Sequence, residues 1–200
     1  MQLRTPAVCL AARPHGETAV VARFLTADHG LVAGYVAGGR GRTLRPVLIP
    51  GNGVDLAISA RGDSQLPFAK PELVTSRAPF LAEPLAAAAI GWACAVTASA
   101  LPERQAYPSL YPALDALLDA VCHAPSARGW LGALLGYELL LLRELGYGGQ
   151  GARPEGDLAA LLALMDRQGP QIAHYLLAHA RADVMAARAR LRELLGRMEQ

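Results

Sequence analysis

The period of apolar and polar positions changes once along the chain, near residue 80. Before that point the apolar runs are short and end in turn residues. "AVCLAA" stops at Arg13-Pro14-His15-Gly16. "TAVVARFLT" alternates, with Val20, Ala22 and Phe24 on one face and Arg23 on the other. Asp28-His29-Gly30 marks the next turn, and "LVAGYVAG" leads into "GYVAGGRGRTLRPVLIPGN", residues 34–52. That segment reads as a hairpin between two strands, left by "PVLIPGNGVDLAISA" with a break at Pro50-Gly51-Asn52-Gly53. "LPFAKPELVTS" supplies a last strand. Five or six strands joined by short turns, with no helix between them, predict a small antiparallel barrel or sandwich over residues 1–80.

From residue 81 to 200 the pattern turns helical. Candidate helices cover 83–101, 107–123, 127–147, 157–167, 169–181 and 184–198, separated by Pro, Gly or short polar joints. In "YPALDALLDAVC" the apolar positions Leu114, Leu117, Leu118 and Val121 recur at intervals of three and four. "RGWLGALLGYELLLLRELGYG" is apolar almost all round, which predicts the central buried helix. "RADVMAARARLRELLGRMEQ" is amphipathic and predicts a surface helix closing a bundle. The fold class is therefore α+β and multi-domain, a barrel followed by an all-α domain. "PLAAAAIGWACAVTASALP", residues 84–102, carries no charge, but it is mostly Ala. Insertion into a bilayer is driven by Leu, Ile, Phe and Val, so the stretch is assigned to a buried core helix.

Composition alters this picture little and charge alters it more. The chain of 200 residues is 52% apolar and 18% charged, which excludes a disordered chain. The net charge of +2 divides unevenly. Residues 1–80 hold nine Lys+Arg against five Asp+Glu, and residues 81–200 hold ten against twelve. A polyanionic partner would meet the N-terminal part. Cys9, Cys94 and Cys122 are isolated and odd in number, with no C-x-x-C pair. This usage fits a reducing cytoplasm, and the N-terminus lacks the pattern of a signal peptide.

The glycines and arginines of 34–52 raise the question of a phosphate-cradling nucleotide loop. No G-K-[ST] follows the glycines, Leu44 stands where the third glycine of a dinucleotide fingerprint belongs, and no helix starts there. What remains is a positively charged loop in which Arg40, Arg42 and Arg45 present forked donors to phosphate oxygens, or else a solvated tip whose charge is incidental. His15 with Glu17 and Asp28 with His29 flank the second strand at opposite ends, about 35 Å apart at ~3.3 Å per residue. They cannot share a metal. No nucleophile motif is present, so no catalytic constellation emerges and no cofactor is called for. Of the strand aromatics Phe24, Tyr35 and Phe68, Phe24 belongs inside. A nucleic-acid groove would then be electrostatic more than stacking.

The order of motifs carries a resemblance. Arg13-Pro14-x-Gly16-Glu17, Thr26-x-x-His29-Gly30-Leu31, Gly38-Gly39-Arg40, Leu44-x-Pro46 and Pro50 resemble the N-terminal OB-fold of the bacterial recombination mediator family RecO. "YELLLLRELGYG" and "QIAHYLLAHARADVMAARARLRELL" are similar to its helices. The resemblance implies a DNA repair and recombination mediator, cytoplasmic and nucleoid-associated, that is not an enzyme. Such a protein binds single- and double-stranded DNA and anneals strands without ATP. It would partner with RecR and with the C-terminal tail of single-stranded-DNA-binding protein to load RecA. Candidate DNA-binding residues are Arg13, Arg23, Arg40, Arg42, Arg45, Arg61 and Lys70. Arg128, Arg143 and the last helix are candidates for the acidic tail. The family commonly carries a cysteine-bearing zinc insertion after the "ELGYG" helix. Here "GYGGQGARPEGD" runs almost directly into the next helix, so zinc is not expected. The rival reading is a protein-interaction adaptor with little DNA affinity, which salt dependence would separate from a DNA binder.

Overall fold

The computed structural model describes residues 2–60, 66–148, 154–180 and 183–198. The chain divides into two compact units, Met1–Pro79 with Leu101–Pro112, and Phe80–Ala100 with Ala113–Gln200.

The first unit is a closed five-stranded barrel in the order β1-β2-β3-β5-β4. Its strands are β1 (Gln2–His15), β2 (Ala19–Thr26), β3 (Gly30–Val36), β4 (Gly53–Ser59) and β5 (Phe68–Thr75). β1 is longer than the apolar run suggested because it serves two neighbours. Gln2 to Val8 pair with β4, and Ala7 to His15 pair with β2. A register shift between Cys9 and Ala11 bends the strand from one partner toward the other. The alternation in β2 holds: Val20, Ala22 and Phe24 point inward and join Ala7, Cys9, Val32, Val36, Val54, Leu56, Ile58 and Ala69 in one core. Phe24 is wholly buried. Burial pushes the Cys9 thiol up to about 12. With Cys94 buried and Cys122 only partly so, Ellman's reagent near neutral pH is expected to modify Cys122 first. The other two thiols should react only on unfolding.

The segment 34–52 is not the hairpin that its sequence suggested. β5 lies between β3 and β4, and residues 37–51 are built from turns. The Arg45 N–H donates to the Gly41 carbonyl at 2.9 Å and the Leu48 N–H to that of Leu44 at 3.1 Å. The coiled segment buries Leu48, with Leu44 and Val47 beside it, against the barrel core. A short apolar run such as "PVLI" is ambiguous between strand and helical turn by periodicity alone. Here the ends of the loop decide. Asn52, fully buried, donates through Nδ2 to the carbonyls of Pro46 (2.9 Å) and Val47 (3.3 Å), and its Oδ1 accepts from the Arg77 N–H at 2.8 Å. Those bonds hold 46–47 in a turn and delay β4 until Gly53.

β3 and β5 meet in parallel at a single pair, Tyr35 and Phe68. Gly34 permits it, since a Cβ there would lie 2.5 Å from that of Ala69. At the other end of β3 the segment after residue 101 takes the open edge. Glu103 bridges to Leu31, and the Arg104 N–H donates to the Leu31 carbonyl at 2.8 Å. Gly30 is required here twice over: its φ is +67°, and an added Cβ would sit 1.8 Å from the Gln105 carbonyl oxygen. Gly30→Ala is expected to cost at least about 1–2 kcal/mol from the left-handed backbone alone, read as a lowered urea midpoint at unchanged m.

The second unit contains most of α1 to α5, namely α1 (Pro84–Ala100), α2 (Leu110–His123), α3 (Leu131–Glu144), α4 (Leu158–Gln171) and α5 (Met185–Gly196). α1 buries Ala89, Ile90, Trp92, Ala93, Cys94 and Val96, the core role assigned to it. Among the described residues no helix is long and apolar enough to cross a membrane. The expected break near residue 168 is absent. α4 runs through Pro170 to Gln171, and the chain then widens into a π-helical turn, Ile172–Leu176. Proline removes one backbone donor without ending the helix, and the wider turn, closed by the Leu177 N–H on the Ile172 carbonyl at 3.2 Å, takes up the misfit. Asp157 caps α4 by accepting from the Ala160 N–H at 2.8 Å.

α3 is buried as expected, with an acid at its centre. Glu138 is fully buried and accepts from Trp92 Nε1 (2.8 Å), Arg188 Nε (2.9 Å) and Arg188 Nη2 (2.9 Å). Arg188 also donates to the Met165 carbonyl at 2.8 Å and lies over the Trp92 ring. One carboxylate and one guanidinium thereby join α1, α3, α4 and α5. α5 is thus more than a surface helix.

Candidate nucleic-acid interface

Strand register places side chains on a face, and here it builds one row across the outside of the barrel. Arg13 on β1 stands opposite Val21 on β2, Val21 opposite Tyr35 on β3, and Tyr35 opposite Phe68 on β5. Tyr35 and Phe68 touch edge to face, centroids 5.4 Å apart, and His15 meets the other side of Tyr35 in the same manner at 5.8 Å. Phe68 is 49% exposed, unusual for a phenylalanine with so large an apolar surface. Three rings in contact, the outer two exposed and Tyr35 partly so, lie on the same face as Arg13.

The basic residues expected to bind DNA are arranged unequally around this row. The Arg13 side chain is exposed and makes no hydrogen bond or ion pair among the described residues. Arg40 is tied down: its Nη1 donates to the carbonyls of Gly16 (3.2 Å) and Glu17 (2.9 Å), and its own N–H to that of Thr18 at 3.0 Å. Those bonds fix an exposed guanidinium at the β1–β2 turn, next to His15. Arg42 and Arg45 are exposed further along the same loop and lie outside the row. Arg23 stands in the adjacent row between Ala11 and Ala33, with its Nη2 3.1 Å from Glu103 Oε1. Lys70 follows Phe68 by two residues on the same face of β5, opposite Ala57. Arg61 lies outside the described residues.

Two features escaped the sequence. The aromatic ladder depends on a parallel pair between β3 and β5, 33 residues apart. Only the phase of Tyr35 against Val32 and Val36 could have shown that its ring points outward. Arg4 is the second. Its Nε lies 2.7 Å from Asp55 Oδ2 and its Nη2 2.6 Å from Glu72 Oε2, and these carboxylates raise its pKa. Both partners are distant in sequence, so no local spacing announces them. Among the described residues no three His, Cys, Asp or Glu side chains stand together as a metal site would need. The arrangement can stack bases and neutralise phosphates, chemistry that needs no proton transfer.

A closed five-stranded barrel of this strand order is of the OB type. Residues 1–77 match the family described as Recombination protein O N terminal, and residues 81–151 match Recombination protein O C terminal. The chain belongs to the RecO family. DNA repair protein RecO of Rhodospirillum centenum is 43% identical over 149 residues, covering 74% of this chain and 58% of that protein. Those of Ruegeria sp. (43%) and Dinoroseobacter shibae (40%) each align over 74% of this chain and 61% of their own length. The chain thus spans less than two thirds of the curated relatives it matches.

Proposed function

We propose that this chain is a DNA repair and recombination mediator whose barrel binds single-stranded DNA across the outer face of β2, β3 and β5. The row Arg13–Val21–Tyr35–Phe68 carries the reading. Bases stack on the Tyr35–Phe68 edge while phosphates run past Arg13, Arg40 and Lys70. Duplex DNA would be held through its phosphates alone, by the same guanidinium groups and by Arg23, Arg42, Arg45 and Arg61. Two complementary strands repel through their phosphates. A basic surface that lowers this repulsion and leaves pairing edges free promotes annealing without ATP and without a catalytic residue. In the cytoplasm such a mediator would act with RecR and with the acidic tail of single-stranded-DNA-binding protein to load RecA. Arg128 and Arg143, both exposed on the helical unit, are available to that tail.

Anisotropy of a labelled single strand, followed at several salt concentrations, tests this reading. Neutralising about four to six phosphates gives a slope of log K against log salt of roughly −3 to −4, at ~0.7 per phosphate. Changing Arg40, Arg42 and Arg45 together to Glu is expected to flatten that slope and weaken binding by orders of magnitude. Salt-insensitive or absent binding by the wild type would overturn the proposal in favour of a protein-interaction adaptor.

A further inference from the structure

A groove of about 460 Å³ opens on β1, β4 and β5, lined by Leu3, Arg4, Ala57, Ile58, Ser59 and Lys70. Resting on the DNA reading above, we infer that this groove receives one nucleotide of the bound strand, with its base against the apolar walls and its phosphate at Lys70.

The argument starts from charge. Arg4 is committed to Asp55 and Glu72. It is therefore a fixed wall of the groove, and together with its two carboxylates it carries a net charge of −1. The Lys70 side chain is exposed and makes no hydrogen bond or ion pair among the described residues, so it is the groove's available cation. One available cation suits at most one anionic group, taken on the Phe68 side of Lys70, since Glu72 and Asp55 stand on the other. The remaining surface is Leu3 and Ala57, with the buried Ile58 beneath and Ser59 at the edge. That combination suits a flat, largely apolar body with a polar rim, and the volume lies within the range of small-molecule sites.

Position selects the nucleotide over other anions of this shape. Ser59 on β4 stands opposite Phe68, and Ala57 opposite Lys70. Phe68 is the last ring of the stacking row, and Lys70 lies two residues on, about 7 Å along the same face of β5. A strand leaving Phe68 therefore arrives at Lys70 and the groove within about one nucleotide spacing. The outer face of β2, β3 and β5 holds bases on an open edge. The groove instead seats one between β1, β4 and β5.

The test uses the full chain with Ala57→Trp, which fills the groove floor, and Lys70→Glu, which reverses its available charge. Affinities are measured by anisotropy for deoxythymidine oligonucleotides lengthened one residue at a time from about four upward. The wild type is expected to show a step of about tenfold at one added nucleotide, the size of one stacked base. Both variants should lose that step; Ala57→Trp should keep the affinity of the shorter oligonucleotides within about twofold, whereas Lys70→Glu should lower it as well, through the lost phosphate contact. A photoreactive thymidine analogue at the terminal position should crosslink to the peptide carrying Ser59 in the wild type only. Lys70 is exposed, so its variant reports even if the tryptophan distorts the barrel. Wild-type binding with the same step in both variants overturns the groove and leaves the outer-face reading intact. No binding of any oligonucleotide by the wild type overturns both.

Discussion

Replacing Arg188 by Ala is expected to lower the unfolding free energy by about 3–5 kcal/mol, the range for breaking a buried ion pair from one side. The Glu138 carboxylate would lose two of its three side-chain donors while remaining fully buried. The loss would arise chiefly from an uncompensated buried charge, which a partner test can show. In Glu138→Gln/Arg188→Met the charge is gone, the new side-chain amide can still accept from Trp92 Nε1, and methionine fills most of the vacated volume. That double variant should recover most of the loss, measured as the urea midpoint at unchanged m. Equal destabilisation by the single and double variants would show that packing, and not charge, sets the cost. Because the network joins four helices, the single variant should also weaken any partner contact made by the helical unit while leaving barrel functions intact.

The second large effect concerns the aromatic row. Tyr35→Ala/Phe68→Ala is expected to weaken single-strand binding by at least about tenfold, since each stacked base contributes about 1–3 kcal/mol. The discriminating quantity is the salt slope. Removing stacking leaves the number of neutralised phosphates unchanged, so the slope should stay as in the wild type. Arg13→Glu should instead reduce the slope by about 0.7 for each phosphate no longer neutralised, at modest cost in high salt. Duplex DNA, whose bases are already stacked on each other, should barely respond to the aromatic variant. A parallel fall in duplex and single-strand affinity would show that the rings support the barrel and do not bind bases. Tyr35 is only partly exposed. The melting temperature of each variant must therefore be compared before affinity is interpreted.

The candidate site was legible where it depended on residue type and local phase. Charge and position make Arg13, Arg40 and Lys70 candidates, and the inward phase of Phe24 follows from alternation in β2. The contact of the Tyr35 and Phe68 rings was not legible. An electrostatic groove was expected because Tyr35 and Phe68 belong to strands far apart in sequence, and one parallel pair brings their rings into contact. Arg40 shows the opposite limit. Its charge was plain, but only its bonds to the Gly16 and Glu17 carbonyls show that it is fastened at the β1–β2 turn.

The sequence by itself determined the division into a strand-rich and a helix-rich part, most strand and helix positions, and the burial of α1 and α3. These follow from periods of two and of three to four, which short windows contain. The tertiary structure alone decided that β5 lies between β3 and β4 and that residues 37–51 form a plug instead of a hairpin. It also decided that Glu138 and Arg188 lie at the centre of the helical unit. Each of these depends on pairing between distant residues. A local window shows that "PVLI" is apolar and that Glu138 is acidic. It does not show that Asn52 holds the first in a turn or that Arg188 and Trp92 stabilise the second where water cannot reach.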